Sequence, residues 1–363
     1  MKKLFFIAAI AGAALVSCTK NELAPIVDEQ PEITFASPVV GVQTKGLALA
    51  DTEFPEGRDF KVYAEWFAAN YTTGQGSAYI KDEVCTKKGS NNYWNPSKPY
   101  YWPSGDNAGK LTFAAFSPAN AKGGSYDFAT GKGIVFTDYV VTTTVDDQVD
   151  LLFTEKAYNK TKADMTVDHG DPTSHVYDGI DLCFRHALCD INFYAKTKAD
   201  YSGTTTITIK QIDIINVASK GTFNQGLVDD DAKVTDMTKQ LWTASSDGAD
   251  YVPYTVYKDL TTGTELNSAD EKPLATDGDL MLIPQVMDNE QGDIQVVVSY
   301  DIKSADTVIP TTQTISLNAS GYPTQWLSSK RYNYTIVVGL DEIYFDPAVY
   351  EWSDYTPDPE ANI

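Results

Sequence analysis

Short runs of β-branched and aromatic residues recur along nearly the whole chain, separated by turn formers, and after the first residues none keeps a sustained helical period. The runs lie at 33–42 (ITFASPVVGV), 60–67 (FKVYAEWF), 111–116 (LTFAAF), 133–136, 150–154 and 180–194. A second series follows at 204–217, 280–283, 294–302, 312–317, 331–340 and 343–345. Apolar residues alternate in several: Ile180, Leu182 and Phe184 share one face, as do Ile207 and Ile209, and as do Tyr332, Tyr334, Ile336 and Val338. A period of two places such residues on one side of a strand. The connections (GSNNYWNPSKP, SGDNAGK, AKGGSYD) are built from Gly, Pro, Asn, Asp and Ser, which turn the chain for steric and hydrogen-bonding reasons. The fold class is therefore all-β, with strands short enough for sandwiches.

At 363 residues there is room for two cores, and the expected division is 33–185 for an N-terminal sandwich and 186–363 for a C-terminal one. What precedes them is different in kind. Residues 1–17 join a basic tip (Lys2, Lys3) to an apolar run from Leu4 to Val16, 13 positions long. That is shorter than the about 20 residues a membrane-crossing helix needs, and it reads as a secretory signal. It ends in Leu15-Val16-Ser17-Cys18, where the Cys18 thiol is the nucleophile that takes a diacylglyceryl group. Acyl chains hold a protein at a membrane through burial of CH₂ groups, about 0.8 kcal/mol each. With Thr19 rather than aspartate next, the outer membrane is the expected destination. Residues 18–32, polar with Pro25 and Pro31, read as a tether.

Loss of Lys2 and Lys3 with the signal takes the formal charge from −22 to −24, which excludes charge-driven binding to nucleic acid or an anionic membrane surface. The abundance of Tyr, Phe and Trp excludes a disordered polyanion. Three cysteines besides Cys18 (Cys85, Cys183, Cys189) cannot all pair within the chain and read as small buried residues, although Cys183 and Cys189 flank His186 with matching strand parity. Asp168, His169, Asp171 and His175 admit a metal-loop reading, against which a solvated loop is the ordinary one. No nucleophile elbow, phosphate loop or recognisable acid pair is present, so neither an enzyme nor a cofactor is expected. Tyr93, Trp94, Tyr100, Tyr101 and Trp102 have two readings: a stacking platform for glycans, centred on Trp94, Tyr101 and Trp102, or rings filling the core beside the strand at 111–116.

Several segments, in order, resemble the fimbrillin family, the subunits of type V pili. They are ITF with VQTKG (33–46), YYWPSGDNAGKLTFAAFSP (100–118), LCFRHALCDINFYA (182–195), SKGTF (219–223), LMLIPQ (280–285) and YNYTIVVGLDEIYFDPAVYEW (332–352). The resemblance implies two tandem transthyretin-like β-sandwich domains and a structural role. It implies a lipoprotein precursor at the outer membrane, a trypsin-like surface protease that frees an N-terminal strand, and a mature subunit in a surface fimbria. Other fimbrial subunits are the partners, linked when a neighbour's C-terminal strand fills the vacated groove. Mapped here, the leaving strand carries Ile33, Phe35, Val40 and Val42, and the cut falls between Lys45 and Gly46, with Arg58 as the alternative. The donor carries Tyr332, Tyr334, Ile336, Val338, Ile343 and Phe345. Two other readings remain: a lipid-anchored glycan-binding protein, and an uncut anchor subunit.

Overall fold

The computed structural model describes residues 32–36, 38–41, 52–54, 57–87, 93–105, 108–166, 179–201, 205–227, 240–266, 268–274, 280–339 and 343–352. Strands carry the fold, and the helical elements among these residues are short 3-10 turns, so the chain is all-β.

The first sheet holds β1 (Phe35–Ala36), β2 (Val39–Val40), β3 (Thr52–Glu53), β4 (Phe60–Phe67), β5 (Ser77–Lys87), β6 (Tyr93–Pro96), β7 (Lys110–Ser117), β10 (Leu152–Thr154), β11 (Ala157–Lys160) and β12 (Cys183–His186). Its order is β1-β6-β5-β4-β7-β10-β12-β2-β3, with β11 also on β7. Because β1 and β2 belong to one short segment, the two ends of this order meet there. Residues 32–41 close the sheet on itself.

Strand β7 shows why a closed sheet needs two linings. Leu111, Phe113 and Ala115 face the enclosed core with Phe60, Val62 and Ala64 of β4, while Ala114 and Phe116 face outward with Tyr63. That outer face is covered by a four-stranded sheet of β8 (Gly124–Asp127), β9 (Gly133–Val140), β15 (Lys220–Asn224) and β16 (Trp242–Ala244), through Phe136, Phe223 and Trp242. This sheet draws strands from both sides of residue 186.

The remaining strands form two sheets packed face to face. One contains β13 (Cys189–Thr197), β19 (Lys272–Pro273), β20 (Leu280–Leu282), β25 (Lys330–Val338) and β26 (Ile343–Glu351). The other contains β14 (Thr205–Ala218), β17 (Tyr251–Lys258), β18 (Thr264–Leu266), β23 (Gln295–Ser304) and β24 (Thr307–Ser316). Between β20 and β23 lies a two-stranded ribbon, β21 (Asp288–Asn289) and β22 (Gly292–Asp293), apart from both sheets. Inward residues follow the period of two on either side of a register shift between Ile209 and Gln211: Ile207 and Ile209, then Ile212 and Ile214, meet Ile191, Phe193, Tyr332, Tyr334 and Ile336 in one core.

The run at 180–194 is not one strand. It breaks at Ala187 and Leu188, where the chain crosses from the first sheet to the β13 sheet, and it reads as continuous because both residues are buried. Cys183 and Cys189 thus end in different sheets. The Cys183 thiol donates to the Gly41 carbonyl at 3.2 Å and the Cys189 thiol to that of Leu282 at 3.3 Å. His186 turns to Asp150 through Nδ1 at 3.0 Å and stacks on Trp352 with centroids 3.7 Å apart. Among the described residues no cluster of His, Cys, Asp or Glu is arranged to hold a metal; Asp168, His169, Asp171 and His175 lie outside them.

Candidate functional site

The segment that closes the first sheet is held from both flanks. On one, Phe35 and Ala36 lie opposite Trp94 and Tyr93 of β6, antiparallel, and the Ile33 amide donates to the Tyr100 carbonyl at 2.7 Å. On the other, Ala36, Val39 and Gly41 amides donate to Ile180, Leu182 and Phe184 carbonyls at 3.1, 3.2 and 3.0 Å, and the Ile180 amide returns a bond to Thr34 at 2.9 Å. This flank is parallel. The antiparallel partner of β2 is β3, just after which the Phe54 amide donates to the Pro38 carbonyl at 3.2 Å.

Ile33 and Phe35, two apart, enter the enclosed core together, and Val40 joins them from β2 across a break in the alternation, all three buried. The Phe35 ring meets Phe60 at 5.8 Å and Phe113 at 5.4 Å, both edge to face, an arrangement the aromatic quadrupole favours. Close approach is permitted by Gly179, where a Cβ would lie 2.3 Å from the Ala36 nitrogen. Thr34 is half-buried, its hydroxyl 3.9 Å from the sulfur of Met165.

Trp94 and Trp102, read from sequence as one possibility for a glycan platform, are 4% and 2% exposed. Trp94 packs on Phe54 and Phe60, both at 5.4 Å, and Trp102 reaches Phe113 at 6.0 Å and donates its indole N–H to Met165. Only Tyr101 of the three is on the surface, at 45%, so these three do not form a set of rings facing solvent. Of the two readings, core rather than platform holds for the indoles, which line the same core that Ile33 and Phe35 cover.

The C-terminal candidates fall on two strands of unlike status. Tyr332, Tyr334, Ile336 and Val338 belong to β25, whose ladders run parallel to β13 from Asp190–Arg331 to Thr197–Val338 and antiparallel to β26 from Lys330–Glu351 to Val338–Ile343. Their rings are clasped from above: Trp326 Nε1 donates to the Tyr334 hydroxyl at 2.9 Å, and the Leu327 amide to that of Tyr332 at 2.9 Å. Burial raises both tyrosine pKa values above the ordinary range. Arg331 pairs with buried Asp190 across the β13 ladder.

Ile343 and Phe345 instead lie on β26, an edge strand whose one strand neighbour among the described residues is β25. Phe345 is buried against Tyr334 at 5.9 Å and Phe193 at 6.3 Å, while Tyr344, Val349 and Tyr350 are exposed. The Tyr322 hydroxyl accepts from the Phe345 amide at 3.0 Å and donates to its carbonyl at 2.9 Å, so one side chain satisfies both groups on the open side of the strand. Neither Tyr322 nor Gly179 announces itself in the sequence, since each matters through a residue remote along the chain.

Cys18, Val42, Lys45 and Gly46 lie outside the described residues. Arg58 lies within them: it is half-buried, its guanidinium donating to the Asp150 carbonyl at 3.2 Å, two residues before buried Phe60.

A family model described as fimbrillin-like matches residues 48–352. No curated protein matches the chain. Among solved structures, a fimbrial protein from Bacteroides vulgatus is similar, with 18% identity, 88% of this chain and 100% of that one covered, and a TM-score of 0.56. A candidate cell adhesion protein from Bacteroides uniformis follows with 15% identity, coverages of 90% and 99%, and a TM-score of 0.49. The tip fimbrial protein Mfa3 from Porphyromonas gingivalis, truncated at its C-terminus, gives 9%, 89% and 100%, and 0.39. The first of these shows a shared fold, and the match of the family model over most of the sequence shows more: the chain belongs to the fimbrillin-like family.

Proposed function

We propose that this protein is a structural subunit of a cell-surface fimbria that contributes to adhesion, delivered to the outer membrane as a lipoprotein on Cys18 and joined to its neighbours by strand exchange. A trypsin-like surface protease cuts after Lys45, and the segment carrying Ile33, Phe35 and Val40 leaves with the lipid. A neighbouring subunit's C-terminal strand then fills the groove. The observation that carries this reading is the closure of the first sheet by residues 32–41, whose backbone bonds run to both flanks and whose side chains fill the core.

Three buried apolar side chains at about 1.5–3 kcal/mol each make the segment a plug worth roughly 5–9 kcal/mol gross, so it stays in place until cut and a replacement strand of like character is strongly favoured. Backbone pairing fixes the register of that replacement. An unfilled groove exposes strand edges and apolar surface, which makes removal at the cell surface the safe place for it. Arg58 is the poorer cleavage site, because a protease needs an extended stretch and its side chain and the following Phe60 are engaged in the fold. Of the C-terminal strands, β26 is the better donor: withdrawing β25 would break two ladders, whereas β26 gives up one.

Limited trypsin treatment of the purified precursor tests this. N-terminal sequencing should begin at Gly46, and the product should form head-to-tail oligomers that survive mild detergent. A cut chain that stays monomeric overturns the proposal, and an intact Lys45–Gly46 bond in protein recovered from cells would assign it as an uncut anchor instead.

A further inference from the structure

Two segments at opposite ends of the described chain carry the same face. The closing segment reads Ile33-Thr34-Phe35, then Pro38 and Val40; the edge strand β26 reads Ile343-Tyr344-Phe345, then Pro347 and Val349. Spacing is identical from Ile to Phe and from Pro to Val, and differs by one residue between, where Asp346 alone spans the places of Ala36 and Ser37. In its own sheet β26 uses this face incompletely. Phe345 is buried, but Val349 stands 48% exposed, although its counterpart Val40 is 2% exposed in the closed sheet. An edge strand with an unfilled apolar position and the residue order of the plug is fitted to a second place.

We infer that β26 of a second copy enters the groove in one register, with Ile343 in the place of Ile33 and Phe345 in the socket between Phe60 and Phe113, running in the same direction as the segment it replaces. This rests on the strand-exchange reading above and adds to it the identity of the anchoring residue. The same register sets Phe345 opposite Trp94 and puts Tyr344 where Thr34 was, beside Met165. Copies of this chain then suffice as partners, since each carries both the plug-like strand and the socket.

The register is read directly by a photo-cross-linker at position 344, which is 40% exposed on an edge strand. Full-length Tyr344→p-benzoylphenylalanine protein is cut with trypsin, allowed to oligomerise and irradiated. The expected product is an intermolecular cross-link to Met165. Oligomers whose cross-link maps to another part of the groove, or within the same chain, overturn this inference while leaving strand exchange standing. Absence of oligomers after the cut overturns the exchange reading and this inference with it. A second measurement avoids altering the folded donor: a synthetic peptide of residues 343–350 should cap the cut chain and stop oligomer growth. Its Phe345→Ala form should be weaker by about tenfold or more, the loss of an anchor residue. Equal potency of the two peptides overturns the assignment of Phe345.

Discussion

Phe35 is the residue on which closure of the first sheet depends most, because its ring is held edge-on by Phe60 and Phe113 with no exposed surface. Truncating it leaves a cavity that backbone bonding on two flanks resists collapsing. Phe35→Ala should lower the stability of the uncut chain by about 3–5 kcal/mol in chemical denaturation; a loss under about 1 kcal/mol would mean the socket is not part of the cooperative core. Cys183 offers a second reading of the same seam. Its thiol bonds to the Gly41 carbonyl, so it should become reactive to maleimide once residues 32–41 depart. Cys189 lies in the other core, and Cys85 in the enclosed one with Phe35; in the uncut chain burial raises both thiol pKa values well above the ordinary range and keeps them unreactive. Mass spectrometry after the cut should find Cys183 newly labelled and Cys189 unlabelled, and labelling of Cys183 before the cut at the same rate would count against its being covered.

At the scale of elements, Tyr322 decides how tightly β26 is kept. Its hydroxyl serves both the amide and the carbonyl of Phe345 on the side where another strand would pair. Tyr322→Phe removes both bonds and keeps the ring against Phe345 at 6.5 Å. About 1–3 kcal/mol of local stability should be lost, seen as faster hydrogen exchange at the Phe345 amide, and the cut chain should oligomerise faster. Unchanged exchange would show that the clasp does not govern the strand. Strand positions with strong alternation were legible: the run at 60–67 is β4, and that at 204–217 is β14 to within a residue at each end. Strands such as β5 (SAYIKDEVCTK) were missed because exposed positions on a two-sheet surface carry Lys, Asp, Glu and Thr, which leave little periodic signal. The run at 33–42 that carries Ile33, Phe35 and Val40 was legible as a strand, and the family resemblance alone marked those residues out. Their sockets were not, since Trp94, Trp102, Phe113 and Gly179 come together through pairings of high sequence separation.

For the whole molecule, buried tyrosines set an alkaline limit. Tyr254 and Tyr334 hold their protons more firmly folded than unfolded, because burial penalises the phenolate. Their contribution is intact below the unfolded tyrosine value near 10 and declines above it, by about 1.4 kcal/mol per pH unit per group. Melting temperature should therefore hold to about pH 9.5 and fall steeply beyond it, and a flat profile to pH 12 would contradict the burial of these rings. On the acid side, Asp82 is held below the ordinary carboxylate range by its hydrogen bond from Lys61, and Asp127 by its bonds from Thr130. Their support is present above the unfolded value near 4 and goes as pH falls through the lower folded one.

The closing segment lies along its two flanks, bonded to residues 93–101 on one side and 180–184 on the other. Tension applied along such a strand loads those bonds together in shear, where a strand peeled from one end would break them in turn. A fibre whose links take this form resists flow until many bonds fail at once, and its tensile strength is set by the length of the seam more than by the strength of any contact in it.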